Sequence, residues 1–216
     1  MIIMRRATFR DQTVDYAAVG ASQTPDLLQY PPEGSLPAVD TWRIGSGEER
    51  FRKASDDLLS WRVVTGAGFE ITDVRPPRDA AYTGVSFAAD GTPKAPASHD
   101  EEPRVSDEGL PFVTPGATAH LANAKRGHRA NADYRVIFVT EDPRRTAFAI
   151  GTVDATIVSG EILLAVEWRD NDEVWFEVRA FDVPVAWPYR LFKGLVKRRR
   201  KRINTAYLRA ISPLFA

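Results

Sequence analysis

The sequence predicts an α+β fold in which a curved antiparallel sheet wraps around a long C-terminal helix. Residues 134 to 181 hold four apolar-rich segments joined by short turns, the pattern of an antiparallel meander. The last two alternate: Ile162, Leu164, Val166 and Trp168 share one face of a strand, and Val174, Phe176, Val178 and Ala180 share one face of the next. After them Trp187-Pro188 opens a helix in which Phe192, Val196, Ile203, Tyr207 and Ile211 recur near helical spacing.

In chain order, residues 1 to 37 read as an irregular arm, since Tyr30-Pro31-Pro32-Glu33-Gly34 favours an extended, turned backbone. Val39 to Ile44 suits a short strand. Ser46 followed three residues later by Glu49 has the form of a capping box. Phe51, Ala54, Leu58 and Trp61 then give an amphipathic helix over 47 to 61. Phe69, Ile71 and Val74 suggest a strand over 68 to 74. Residues 88 to 110, with Pro93, Pro96, Pro103 and the acidic run Asp100-Glu101-Glu102, read as a flexible polar loop within a single domain spanning 1 to 216. Strands are expected at 111 to 120, 134 to 140, 146 to 153, 160 to 168 and 173 to 181. Asp142-Pro143-Arg144 and Asp170-Asn171-Asp172 supply turns. The long basic helix covers 187 to 211, with Ser212-Pro213 as its stop.

A chain of 216 residues with 44% hydrophobic content can hide roughly 70% of its unfolded surface in one core. It contains no cysteine, which excludes disulfides and thiolate chemistry. With no apolar run near the ~20 residues that cross a bilayer, and no secretory signal pattern, a cytoplasmic location is expected. Net charge is zero, yet nine Lys or Arg and no acid lie between Arg190 and Arg209, which leaves an equal acidic excess elsewhere.

A sheet that grips a helix encloses space between the two, which suits an apolar ligand. On this reading the lining comes from Phe138, Leu164, Val166, Phe176, Val178, Val196, Ile203 and Tyr207, and a small apolar molecule is the expected partner. Arg135 and Glu161 are the candidate polar anchors for a head group. His99, His120 and His128 are not spaced as a metal pair, and no Gly-x-Ser-x-Gly elbow is present. No metal, cofactor or catalytic residue is therefore assigned. The run Lys197-Arg198-Arg199-Arg200-Lys201-Arg202 could meet an anionic membrane surface. Nucleic acid is the weaker alternative, because no aromatic side chains interleave with the cations.

Several ordered segments resemble one family, the domain of unknown function 1990 group. They are Tyr16-Ala17-Ala18-Val19-Gly20-Ala21, Ile44 to Gly47, Leu58 to Trp61, Asn131 to Arg135, Phe148-Ala149, Gly151-Thr152, Gly160-Glu161, Val174-Trp175-Phe176, Ala180-Phe181 with Pro184, and Tyr207 to Ala210. The resemblance implies a START or Bet v 1-like helix-grip fold and no defined chemistry. The chain departs from the family pattern at Thr156 and Ile162, which stand where the family carries His and a second Glu. The leading expectation is a non-enzymatic binder of a small apolar ligand. The alternatives are an enzyme of the same fold acting on an apolar or polyketide-like substrate, with Glu161 and Arg135 as its polar groups, and an interaction module that uses the basic helix.

Overall fold

The structure, a computed structural model, describes residues 14–77, 109, 111–123 and 132–212. Seven strands form one antiparallel sheet: β1 (Leu36–Ser46), β2 (Phe69–Arg75), β3 (Thr118–Asn123), β4 (Ala132–Asp142), β5 (Arg145–Thr152), β6 (Val158–Trp168) and β7 (Glu173–Pro184). Their spatial order is β1-β7-β6-β5-β4-β3-β2, so β4 to β7 form the expected meander while β1 and β2 lie at opposite edges. Among the described residues four α-helices accompany the sheet, α1 (Glu48–Leu59), α2 (Arg62–Gly66), α3 (Trp187–Leu191) and α4 (Lys193–Ile211), with a 3-10 turn at Ala21–Gln23.

The strand alternation sorts side chains as the sequence indicates. Leu164, Val166, Phe176 and Val178 face the concave side and join one core with Phe51, Leu58, Trp61, Phe148 and Tyr207. Aromatic pairs tie the elements together there: Trp61 meets Phe148 edge-on at 5.6 Å, Phe51 stacks on Trp168 and Phe69 stacks on Tyr207. Each such large side chain contributes about 1.5–3 kcal/mol on burial. Exposed ion pairs such as Arg144–Asp170 add at most about 1 kcal/mol, so apolar packing holds this sheet to its helices.

Helix α4 reaches across the curve. Arg200 bonds Asp182 on β7, Asn204 bonds Asp40 on β1, and Tyr207 stacks on Phe69 of β2. One helix thus touches both edge strands, which requires the sheet to curl around it; this is the helix-grip arrangement expected from the sequence. Arg50 fastens the far end, with Nε donating to the Ile44 carbonyl at 3.0 Å and Nη2 to that of Ile211. The second bond satisfies a carbonyl left free at the helix C-terminus.

Several local expectations need correction. The capping box does not form: Ser46 is the last residue of β1, and Gly47 (φ 88°) takes the N-cap with no side-chain bond. The helix expected over 47 to 61 stops at Leu59, because Trp61 adopts a left-handed φ of 66° while its ring packs into the core. The strand expected from 111 begins at Thr118, after a turn closed by Ala117 N–H to the Thr114 carbonyl. The stretch 187 to 211 is helical in two pieces, divided at Phe192 (φ −110°, ψ 77°). Apart from Gly109, the loop at 88 to 110 lies outside the described residues.

Phe138 lies on the convex face, away from the space it was expected to line. Between Val136 and Phe138 the register slips, so that Val136 faces Ile150 and Phe138 faces Ala149. The extra residue of this bulge reverses the parity of everything after it. Val139 therefore points to the core in its place, and Phe138 packs with Ala147, Ala149, Leu163 and Ala165.

Candidate functional site beneath the C-terminal helix

The buried stripe of α4 consists of Val196, Arg200, Asn204, Tyr207 and Ile211. The spacing is that of an apolar helix face, but its middle is polar. Arg200 is 5% exposed and Asn204 1%, and burying such groups is costly unless they are bonded. Arg200 grips Asp182 in a two-pronged ion pair, with Nε 2.8 Å from Oδ2 and Nη2 on Oδ1. Burial alone would lower the guanidinium pKa; the charge and hydrogen bonds of Asp182 outweigh this and raise it. Asn204 Nδ2 donates to Asp40 Oδ2 at 2.5 Å. Burial also pushes the Tyr207 phenol well above its ordinary range, reinforced by nearby Tyr134.

Two atoms of this cluster have no partner among the described residues. Arg200 Nη1, a donor, and Asn204 Oδ1, an acceptor, are both buried and unbonded. An unmet buried polar group costs about 1–3 kcal/mol, and folded proteins rarely leave one unexplained. The pair is chemically complementary to a group that accepts one hydrogen bond and donates another.

The apolar residues singled out from the sequence are distributed unevenly around this cluster. Leu164, Val166, Phe176 and Val178 are fully enclosed at 0% exposure, and a side chain with no exposure borders no space wide enough for a water. Val196 and Tyr207 are buried and Ile203 is half-buried, all three beside the polar pair on α4. The basic run is not uniform either. Lys197, Arg198, Lys201 and Arg202 are exposed, Arg199 is intermediate, and Arg200 is withdrawn into the interior.

Glu161 and Arg135 lie in register with Gly151 on the convex face, away from α4. Glu161 is 0% exposed because the N-terminal arm covers it. Its Oε2 accepts from Tyr16 Oη at 2.7 Å and Gly20 N–H at 2.8 Å; its Oε1 accepts from Ser22 N–H at 3.1 Å and from Ser22 Oγ. Asp15 adds a second set, accepting from Thr152 Oγ1 and Ser159 Oγ at 2.5 Å each and from Ala155 N–H at 2.7 Å. Gly151 leaves room for the Tyr16 ring, which also meets Phe181 edge-on at 5.4 Å. The motif residues Tyr16, Gly20, Gly151, Thr152, Glu161 and Phe181 therefore converge on one clasp that pins the arm to the back of the sheet. The inward placement of Arg200 and Asn204 was missed from sequence; their helical spacing, four from Val196 to Arg200, four from Arg200 to Asn204 and three from Asn204 to Tyr207, was the available signal.

A seven-stranded antiparallel sheet gripping a C-terminal helix, with a polar cluster at their seam, defines a helix-grip protein of the α+β class. The chain belongs to the family described as domain of unknown function (DUF1990), whose profile matches residues 99–210. None of the curated proteins matches it. Among solved structures it is similar to a hypothetical protein from Helicobacter pylori, 10% identical with a TM-score of 0.53 over 94% of this chain and 99% of that one. Lesser likeness joins it to a START superfamily protein from Mycobacterium smegmatis (12% identity, TM-score 0.40, 80% of this chain and 92% of that one). A norcoclaurine synthase from Thalictrum flavum stands at a similar level (12%, 0.43, 84% and 87%). At these identities the first likeness speaks to fold alone.

Proposed function

We propose that this protein binds a small, largely apolar molecule at the seam between the sheet and α4, with a polar head group docked on Arg200 and Asn204. The observation that carries the proposal is the unpartnered pair Arg200 Nη1 and Asn204 Oδ1, buried on a helix face that is otherwise apolar. A hydroxyl, amide or protonated carboxyl group would satisfy both atoms at once. Because Asp182 already neutralises Arg200, a neutral head group fits better than an anion. Val196, Ile203 and Tyr207 flank the pair and supply apolar contact. The tail enters as α4 shifts outward from the sheet, since Val178 and Phe176 leave no room as they stand.

Native mass spectrometry of the purified protein, set against its denatured mass, tests this. The expected result is extra mass that leaves on denaturation, with occupancy falling about tenfold in Asn204→Leu, the equivalent of one lost hydrogen bond of about 1.4 kcal/mol. A protein that carries no extra mass and takes up no fluorescent fatty-acid or fatty-alcohol probe would remove the proposal. So would unchanged uptake by the Asn204→Leu variant.

A further inference from the structure

The segment from Val185 to Leu195 exposes more apolar surface than its surroundings. Trp187 is 71% exposed, Leu191 59%, Phe192 55%, Leu195 43% and Val185 41%. Helix α3 has no buried residue at all, although it carries Trp187, Pro188, Tyr189 and Leu191. A turn of helix with that composition and no core to cover is held out for a partner. Its charge setting identifies the partner. Arg190 and Lys193 are exposed within the same segment. On α4, Leu195 shares the outward face with Arg198 and Arg202 at spacings of three and four, opposite the buried stripe. From Val183 to the end of the sequence no acid occurs.

Exposed Trp, Phe and Leu beside cations, with no intervening carboxylate, match what an anionic bilayer surface takes up: rings and aliphatic chains at the acyl boundary, guanidinium and ammonium groups among the phosphates. We infer that α3 and the first turns of α4 form a docking surface for anionic lipid membranes. Withdrawal of Arg200 into its bond with Asp182 takes one charge from the run but leaves the outward face basic. The surface is separate from the seam, because Leu195, Arg198 and Arg202 lie opposite the stripe that holds Asn204.

Sedimentation with vesicles tests the inference on the full chain. Vesicles of phosphatidylcholine alone are compared with vesicles containing about 30% phosphatidylserine, a composition that sets up the negative surface potential of a cytoplasmic leaflet. The protein should pellet with the anionic vesicles alone, and its binding should weaken steeply as salt rises. Binding should fall at least tenfold in Trp187→Ser/Leu191→Ser and again in Arg198→Glu/Arg202→Glu. Both pairs lie on exposed positions, and circular dichroism checks that each variant is folded. Absence of pelleting, equal pelleting with neutral vesicles, or retention by both variants would overturn the inference. A wild-type dimer in solution that dissociates in the Trp187→Ser/Leu191→Ser variant would overturn it too, by assigning the patch to a second copy of the chain. Capture of a labelled oligonucleotide without vesicle binding would do the same in favour of nucleic acid.

Discussion

Glu161 has both carboxylate oxygens bonded to the arm, one pair of donors on each. Such an arrangement offsets the cost of burying a polar carboxyl group, because Ser22 and Gly20 supply backbone N–H groups and Tyr16 a phenol. Gly151 makes it possible. A Cβ added there would lie 2.0 Å from Tyr16 Oη, so the ring would have to leave its notch. Gly151→Ala should therefore cost about 1–3 kcal/mol by overpacking, read as a lower midpoint in thermal unfolding. It should also open the arm to chymotrypsin at Tyr16, Leu27 and Tyr30; an arm that stays resistant would show that the clasp holds without the tyrosine. The sequence displays Tyr16, Gly20, Gly151 and Glu161 within recognisable motifs but does not say that they meet. Tyr16 and Glu161 are 145 residues apart, and no periodicity links an irregular arm to one position on a strand.

At the scale of elements, α4 carries an apolar face broken by an ion pair. Removing one partner leaves the other charged and buried, so Asp182→Ala should destabilise the fold by about 3–5 kcal/mol. Replacing the pair together, as Asp182→Leu/Arg200→Met, should cost far less than the single change, because nothing charged is left behind. Chemical denaturation of the two variants checks the ordering, and equal losses would show that the pair has no special coupling. The meander was legible because Ile162 to Trp168 and Val174 to Ala180 alternate without interruption and Asp170-Asn171-Asp172 can only turn. Phe138 was not, because one bulge residue reverses its face and bulges carry no periodic signature. Arg200 was hidden in another way: within six consecutive cations nothing in composition separates the one that faces inward, and only its distance of four from Val196 and from Asn204 does so. The break at Trp61 escaped notice because the ring belongs to the core even though its backbone ends the helix.

Over the whole molecule, stability is graded. Strands β5, β6 and β7 lie between neighbours on both sides and carry the fully buried residues Phe148, Leu164, Val166 and Phe176, while α3 has none. Amides of β6 should exchange with solvent only through global unfolding, and those of α3 through local opening at small free energy; native-state hydrogen exchange measures both, and equal protection would contradict this grading. The strand order has a consequence in time as well. β1 sits at a sheet edge, and the strand it pairs with is β7, with Leu36 opposite Asp182 and Ser46 opposite Glu173. A ribosome that adds about 5–20 residues per second delivers that partner on the order of ten seconds after β1 has emerged. Until then β1 has no strand to pair with, and the helix that closes the sheet is later still. Pairings so distant along the chain are slow to form. The protein must therefore complete its native sheet only after β7 and α4 have been made, and an unpaired β1 is the stretch for a chaperone to shield in the interval.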